Sequence, residues 1–189
     1  LTLARDTPGF SPPVAARALA YAGVTLYESV VPGMPDHRSL AGHLPGLAEL
    51  PRPDPCEPLH MPAVASAALA AMARELHANA RPHDLAAIDQ LEREFAAAHA
   101  METDAATLDA SREHGRALAA AIHAWAVLDG GHMGQTRNYR EDYVAPSGPG
   151  LWVPTPRAVG PAFPPLQPYW GANRTFSGEA LEACQGGLF

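Results

Sequence analysis

The segment 12–31 is apolar around nearly its whole circumference when it is read as a helix. Its only charged residues are Arg17 and Glu28. A helix of this kind belongs in a protein interior, so both side chains are predicted to be buried and structural. They share one face but lie three turns apart, about 16 Å at 1.5 Å per residue, which is too far for a direct contact. Each therefore needs its own partner, from this chain or from another one, because an unpaired buried charge is strongly destabilising.

Three further segments, 62–80, 84–100 and 104–128, repeat apolar residues with the period of a helix. The segment 84–100 is the most amphipathic, and its polar side is expected to hold an i,i+4 pair of Asp89 with Arg93. In chain order, the predicted buried stripes are Ala65, Leu69, Met72 and Leu76; Leu85, Ile88, Leu91, Phe95 and Ala98; and Leu108, Ser111, Gly115, Leu118, Ile122 and Trp125. We expect an all-α fold with four main helices, the first one capped by Ser11.

Proline and glycine dominate the chain outside these helices. Residues 32–61 are predicted to form an irregular, proline-rich wrap. Residues 131–189 are predicted to form an extended arm that follows a helical domain over 1–130. Disordered segments are poor in aromatic residues, so the arm is expected to be ordered and to dock on the helices, on a second copy of the chain or on another polypeptide. Its expected anchors are Trp152, Tyr169, Trp170 and Phe176.

Charge and hydropathy exclude two classes of partner. The net charge of −7 does not suit a nucleic-acid backbone, which requires clustered cations. No segment approaches 18 apolar residues, so no membrane span is predicted. All 13 cationic side chains are arginine, so a mechanism that needs a lysine cannot be completed within this sequence.

Histidine and cysteine offer only weak candidates for chemistry. The nine histidines form no metal-binding motif, and no metal site is predicted. Asp129 and His132 flank a Gly-Gly turn, where they form the rim of a site or a simple helix end. Cys56 and Cys184 are either two unrelated thiols or a disulfide. A disulfide implies an oxidising compartment, and a periplasmic or secreted location is slightly favoured.

Several segments taken together resemble the amino-terminal helical region of bacterial vanadium-dependent haloperoxidases, in the type-2 phosphatidic-acid phosphatase superfamily. They recur in the family's order over almost the whole chain. The segments are residues 7–17, 26–35, 115–116 with Trp125, 129–131, 150–156 and 168–176.

The resemblance implies a vanadate cofactor for the full-length enzyme, held by a lysine and arginines that this chain does not supply. Pro146-Ser147-Gly148-Pro149 is similar to the family's Pro-Ser-Gly-His signature, but Pro149 stands where the histidine belongs. No catalytic residue is therefore assigned. The implied function is support of a catalytic bundle absent from this chain, with that carboxy-terminal half or a second copy as partner. The alternative is a stand-alone helical binding module. The choice between haloperoxidase, phosphatase and inactive relative stays open.

Overall fold

The computed structural model describes residues 2–177, and every regular element among them is helical. The α-helices are α1 (Thr2–Asp6), α2 (Pro12–Val30), α3 (Met61–Leu76), α4 (Pro82–His99) and α5 (Ala105–Val127). Short 3-10 turns lie at Val31–Gly33, Gly134–Thr136 and Trp170–Ala172. The predicted all-α class with four main helices is confirmed. None of the helices described is both long and apolar enough to cross a membrane.

Helix α2 starts where the sequence predicts, but Ser11 does not cap it. The Ser11 hydroxyl is buried without a hydrogen-bond partner. An N-cap side chain binds the amide of the second or third helical residue, and here proline occupies the first two positions. The two prolines that favour a helix start therefore also remove one of the amides that Ser11 would otherwise bind.

Helix α3 lies at the centre of the bundle, in contact with α2, α4 and α5. Its fully buried positions include Ala63, Val64, Ala67 and Ala68, whereas the predicted Ala65 and Leu69 are half-buried. The predicted stripe is buried at Met72 and Leu76, as expected, but it misses the buried face in the first half of the helix. Alanine has no long side chain, so it gives little hydrophobic signal in a sequence, yet it allows two neighbouring helices to approach closely. The helix also ends at Leu76 rather than at residue 80.

Helix α5 follows its prediction closely. All six residues of its stripe are buried, and Asp104 caps its start by accepting a hydrogen bond from the Thr107 amide at 3.0 Å. A Cβ at Gly115 would collide with the carbonyl oxygen of Val64, so the α5 backbone lies directly on α3. The glycine at this position therefore permits the close approach of the two helices.

Helix α4 departs from its prediction. Leu91 and Phe95 are 53% and 51% exposed, although they belong to the face that we expected to be buried. The predicted Asp89–Arg93 pair is also wrong. Asp89 instead accepts hydrogen bonds from the Arg74 guanidinium of α3 at 2.7 and 3.0 Å. An arginine on a neighbouring helix thus displaces the local pair, because it can bind through two nitrogens at once.

The loop between α2 and α3 is attached to the bundle by specific hydrogen bonds. Glu28 is 4% exposed and accepts from the Leu40 amide at 2.6 Å and from the Ser39 hydroxyl at 2.8 Å. The Trp125 indole donates to the carbonyl of Pro45 at 3.0 Å. The buried carboxylate of α2 is therefore satisfied within the chain, by the wrap itself.

Candidate functional site

The carboxylate of Asp129 is the centre of a buried polar cluster at the end of α5. It accepts hydrogen bonds from Arg17 Nε at 2.6 Å, from Arg17 Nη2 at 3.1 Å and from Tyr21 Oη at 2.8 Å. Arg17 Nη2 also donates to the carbonyl of Ala126 at 2.7 Å. The Arg17 and Asp129 side chains are only 11% and 4% exposed. We call Arg17, Tyr21, Asp129 and Arg174 the arginine–aspartate cluster.

The Gly-Gly turn explains how Asp129 meets Arg17. Gly130 has φ +88°, a conformation that L side chains rarely adopt, and this turns the chain back after α5. The Gly131 amide then donates to Asp129 Oδ1 at 2.7 Å. A Cβ at Gly131 would come within 2.8 Å of Arg17 Cδ. One glycine therefore provides the turn, and the next provides space for the arginine.

Arg174 connects the arm to the same cluster. Its Nη2 donates to Tyr21 Oη at 3.1 Å and to the carbonyl of Trp125 at 2.8 Å, and its guanidinium lies 4.5 Å from the centre of the Trp125 ring. Its main-chain amide donates to the carbonyl of Asp129 at 2.8 Å. Burial raises the pKa of Tyr21 to about 12, and the hydrogen bond to Asp129 is the second-largest cause of this shift. Tyr21 is therefore a neutral donor between the two charged groups.

An open groove of about 530 Å³ passes over this cluster. It lies between α2 and the residues 170–176 of the arm, and Arg17, Asp129 and Arg174 form part of its wall. Vanadate is an anion and requires convergent cations that are free to bind it. Here the Arg17 guanidinium is already bound to a carboxylate, which would repel an anion. The arginine–aspartate cluster therefore does not fit vanadate.

The remaining predicted site residues are dispersed. Glu28 binds the wrap and takes no part in the cluster. His132 follows Asp129 closely in sequence, but its ring packs against His123 with centroids 5.9 Å apart, while Asp129 faces Arg17. Burial, aided by the charge of Arg17, lowers the pKa of His132, so the imidazole is neutral near pH 7. Asp129 and His132, which the sequence places on either side of the turn, therefore do not form one site.

The four predicted anchors of the arm divide into two pairs. Phe176 packs on the helices, with its ring 5.1 Å from that of Tyr21, and Trp170 lines the groove beside α2. Tyr169 and Trp152 are 47% and 49% exposed. Tyr169 packs edge-on against Tyr143 of the arm, and Trp152 lines a pocket formed by arm residues 143–166. Docking on the helices is therefore seen for Phe176 and Trp170, whereas docking of Trp152 and Tyr169 on another polypeptide stays a prediction.

Two features were not recognised from sequence. Arg174 lies in the resembling segment 168–176, but the sequence assigned no role to its side chain. His60, His99 and Glu102 have ligand atoms within 4.8 Å of one another, although their spacing matches no motif.

Cys56 is exposed in the wrap. Cys184 lies outside the described residues, so the disulfide stays a prediction.

The fold is similar to that of a solved structure described as the first bacterial vanadium-dependent iodoperoxidase. The match has a TM-score of 0.70 and 28% sequence identity. It covers 93% of this chain but 39% of that chain, so this chain spans well under half the length of the relative. The resemblance inferred from the sequence is confirmed as a partial match. No family model and no curated protein matches the chain.

Proposed function

We propose that this chain is the helical scaffold of a vanadium-dependent haloperoxidase-like enzyme and supports a catalytic bundle formed by a further part of that enzyme. The observation that carries the proposal is the match to the iodoperoxidase, which includes nearly all of this chain and a minor part of that one. The order of segments in the sequence points the same way. The activity of the enzyme, its vanadate and its substrate are part of the proposal.

The arginine–aspartate cluster suits a scaffold better than a reaction centre. Its charges are neutralised or hydrogen-bonded by groups from α2, α5 and the arm. Breaking such a buried pair is strongly destabilising, so the cluster holds these three elements in one arrangement. We assign Arg17 and Asp129 a positioning role, through which the arm and the adjoining groove keep their shape.

The exposed face of α4 is the proposed contact surface for the catalytic bundle. Leu91 and Phe95 form one side of an apolar groove of about 410 Å³, whose other side includes Leu69 and Ala73 of α3. Half-exposed leucine and phenylalanine at the same groove favour a protein partner. The relative has a chain more than twice as long as the part matched here, which supports the catalytic bundle as the occupant.

An activity comparison tests the proposal. Purified residues 1–189 should show neither vanadate-dependent iodide or bromide oxidation nor hydrolysis of a phosphate monoester, whereas the natural protein that contains them should show one of these activities. Turnover by residues 1–189 alone would contradict the scaffold role. A natural protein with the mass of this chain and no activity would favour the alternative, a stand-alone helical module.

The contact surface has a separate test with a matched control. Leu91→Ser and Phe95→Ser should lower the melting temperature of the natural protein while leaving that of residues 1–189 nearly unchanged. Leu19→Ser, which alters an equally exposed leucine on α2, is the control and should affect neither. Equal effects of all three variants on the natural protein would argue against a specific contact at α4.

A further inference from the structure

Two histidines and a glutamate from separate parts of the chain meet at one end of the bundle. His60 immediately precedes α3, His99 is the last residue of α4, and Glu102 lies in the turn that follows. Glu102 Oε2 is 3.0 Å from His60 Nε2 and 3.4 Å from His99 Nδ1. The centroids of the two imidazole rings are 5.0 Å apart. The three side chains thus point toward one common position.

These distances match the spacing of ligands around a tetrahedral ion. Bonds of about 2.0–2.1 Å from Zn²⁺ to nitrogen and oxygen place neighbouring ligand atoms about 3.3 Å apart. Two of the three separations, both to Glu102, already have nearly this value. All three ligand atoms lie within 4.8 Å of one another, so the two imidazole nitrogens also lie within that distance.

Hydrogen bonds anchor the main chain at both histidines. The His60 amide donates to Ser111 Oγ at 2.8 Å, and that fully buried hydroxyl donates to the carbonyl of Thr107 at 2.6 Å. The carbonyl of His99 accepts from the Glu102 amide at 3.0 Å. Glu102 itself is 57% exposed and has room to turn toward an ion. The site therefore combines two imidazoles on anchored main chain with one exposed carboxylate that has room to move.

The outer nitrogens of both rings are left unbound by the other described residues. His60 Nδ1 and His99 Nε2 are buried and have no hydrogen-bond partner among the described residues. Each neutral imidazole carries one proton, and a metal requires the inner nitrogen to be free of it. Metal binding therefore places the proton of each ring on its outer nitrogen, where an acceptor such as water has to receive it, because a metal-ligating histidine donates its second N–H.

We propose that His60, His99 and Glu102 form a binding site for a divalent transition-metal ion of the Zn²⁺ class. The donor set of two imidazoles and one carboxylate suits Zn²⁺ and leaves a fourth position for water. The ion ties the start of α3 to the end of α4 and to the turn before α5. His99 also lines the groove beside Phe95, but the site needs neither vanadate nor a bound partner. Its tests use residues 1–189 alone, so its failure is distinguishable from that of the proposed scaffold role.

Metal titration of residues 1–189 tests the site directly. After treatment with a chelator, the protein should bind Zn²⁺ saturably in a 1:1 ratio by calorimetry. Co²⁺ at the same site should produce the visible absorption bands of a tetrahedral complex, and Zn²⁺ should remove them. Zn²⁺ should also raise the melting temperature. Absence of saturable binding, or binding without the Co²⁺ bands, would overturn the proposal.

Three substitutions locate the site. Glu102→Gln and His60→Gln should each abolish the Co²⁺ bands and the increase in melting temperature, and the exposure of Glu102 makes its substitution safe for folding. His83→Gln is the control, because His83 is 71% exposed and its Nε2 lies 3.4 Å from an Asp84 oxygen, away from the triad. Binding that survives both Glu102→Gln and His60→Gln, or that His83→Gln also removes, would refute the assignment.

Discussion

Helices α5 and α4 both carry a clear apolar stripe, but their surroundings differ. The stripe of α5 is buried against α2 and α3, with Ile122 fully inaccessible. The stripe of α4 contacts α3 on one side and leaves Leu91 and Phe95 half exposed. The comparison teaches that an amphipathic pattern predicts a face that favours burial, but does not specify what covers it. In this protein the uncovered face is where a further partner is expected.

The largest expected change in stability concerns the carboxylate of Asp129 at the end of α5, which Arg17 of α2 binds. Arg17→Met removes the guanidinium that binds Asp129 and strands a buried carboxylate, so we expect the free energy of unfolding to fall by about 3–5 kcal/mol. Arg93→Met is the matched control on α4, where the exposed guanidinium donates to Gln90 at 2.8 Å. It should change stability by less than about 0.5 kcal/mol. Urea unfolding of residues 1–189 measures both changes in the free energy of unfolding. Equal losses in the two variants would contradict the difference in burial between Arg17 and Arg93.

Core packing should show the next largest difference. Ile122→Ala leaves a cavity beneath α5 and should lower the free energy of unfolding by about 2–5 kcal/mol. Leu91→Ala removes a similar side chain from the half-exposed face of α4 and should cost well under half as much. Chemical denaturation at one pH is sufficient for the measurement. A loss at Leu91 as large as that at Ile122 would show that α4 is covered within the isolated chain.

The stability of the helical bundle should also depend on pH through His77, which directly follows α3. This imidazole is 7% exposed, stacks on Phe10 and lies 3.0 Å from the Thr7 hydroxyl, and burial lowers its pKa from 6.5 to about 4. The unfolded chain therefore takes up this proton below pH 6.5, while the folded chain does not until about pH 4. Stability should fall across this window by about 1–3 kcal/mol and then level off.

A double measurement isolates this effect. The stability of His77→Gln should depend less on pH between 6.5 and 4 than that of the original chain. His83→Gln, at an exposed position near the start of α4, should retain the full dependence. An unchanged slope in His77→Gln would assign the acid sensitivity to other groups.

The smallest expected effect belongs to the exposed face of α4. Leu91→Ser and Phe95→Ser should each change the stability of residues 1–189 by no more than about 0.5 kcal/mol, because water already reaches both side chains. Binding of a dye that reports exposed apolar surface should decrease in both variants. Marked destabilisation would mean that the groove between α3 and α4 is a packed part of this chain.

The sequence by itself determined the helical class, the four main helices and the stripe of α5. These features depend on local periodicity, proline positions and large apolar side chains, all of which are visible without a fold. It also indicated that Arg17 and Glu28 needed separate partners. The face of α3 was predicted correctly at Met72 and Leu76 but missed in the first half of the helix, because alanine carries little hydrophobic contrast. Ser11 forms no side-chain cap, and the prolines beside it remove one of the amides that it would bind.

Only the tertiary structure decided which partners those charges have and which residues share a site. Arg17 and Asp129 are 112 residues apart, and Arg174 reaches Tyr21 across 153 residues. His60 likewise meets His99 and Glu102 through the packing of helix ends, with no sequence motif between them. Such long-range contacts depend on the crossing of the helices and on the path of the loops between them. Local periodicity carries no information about either, so the pattern of the chain predicted elements, and only their packing assembled the sites.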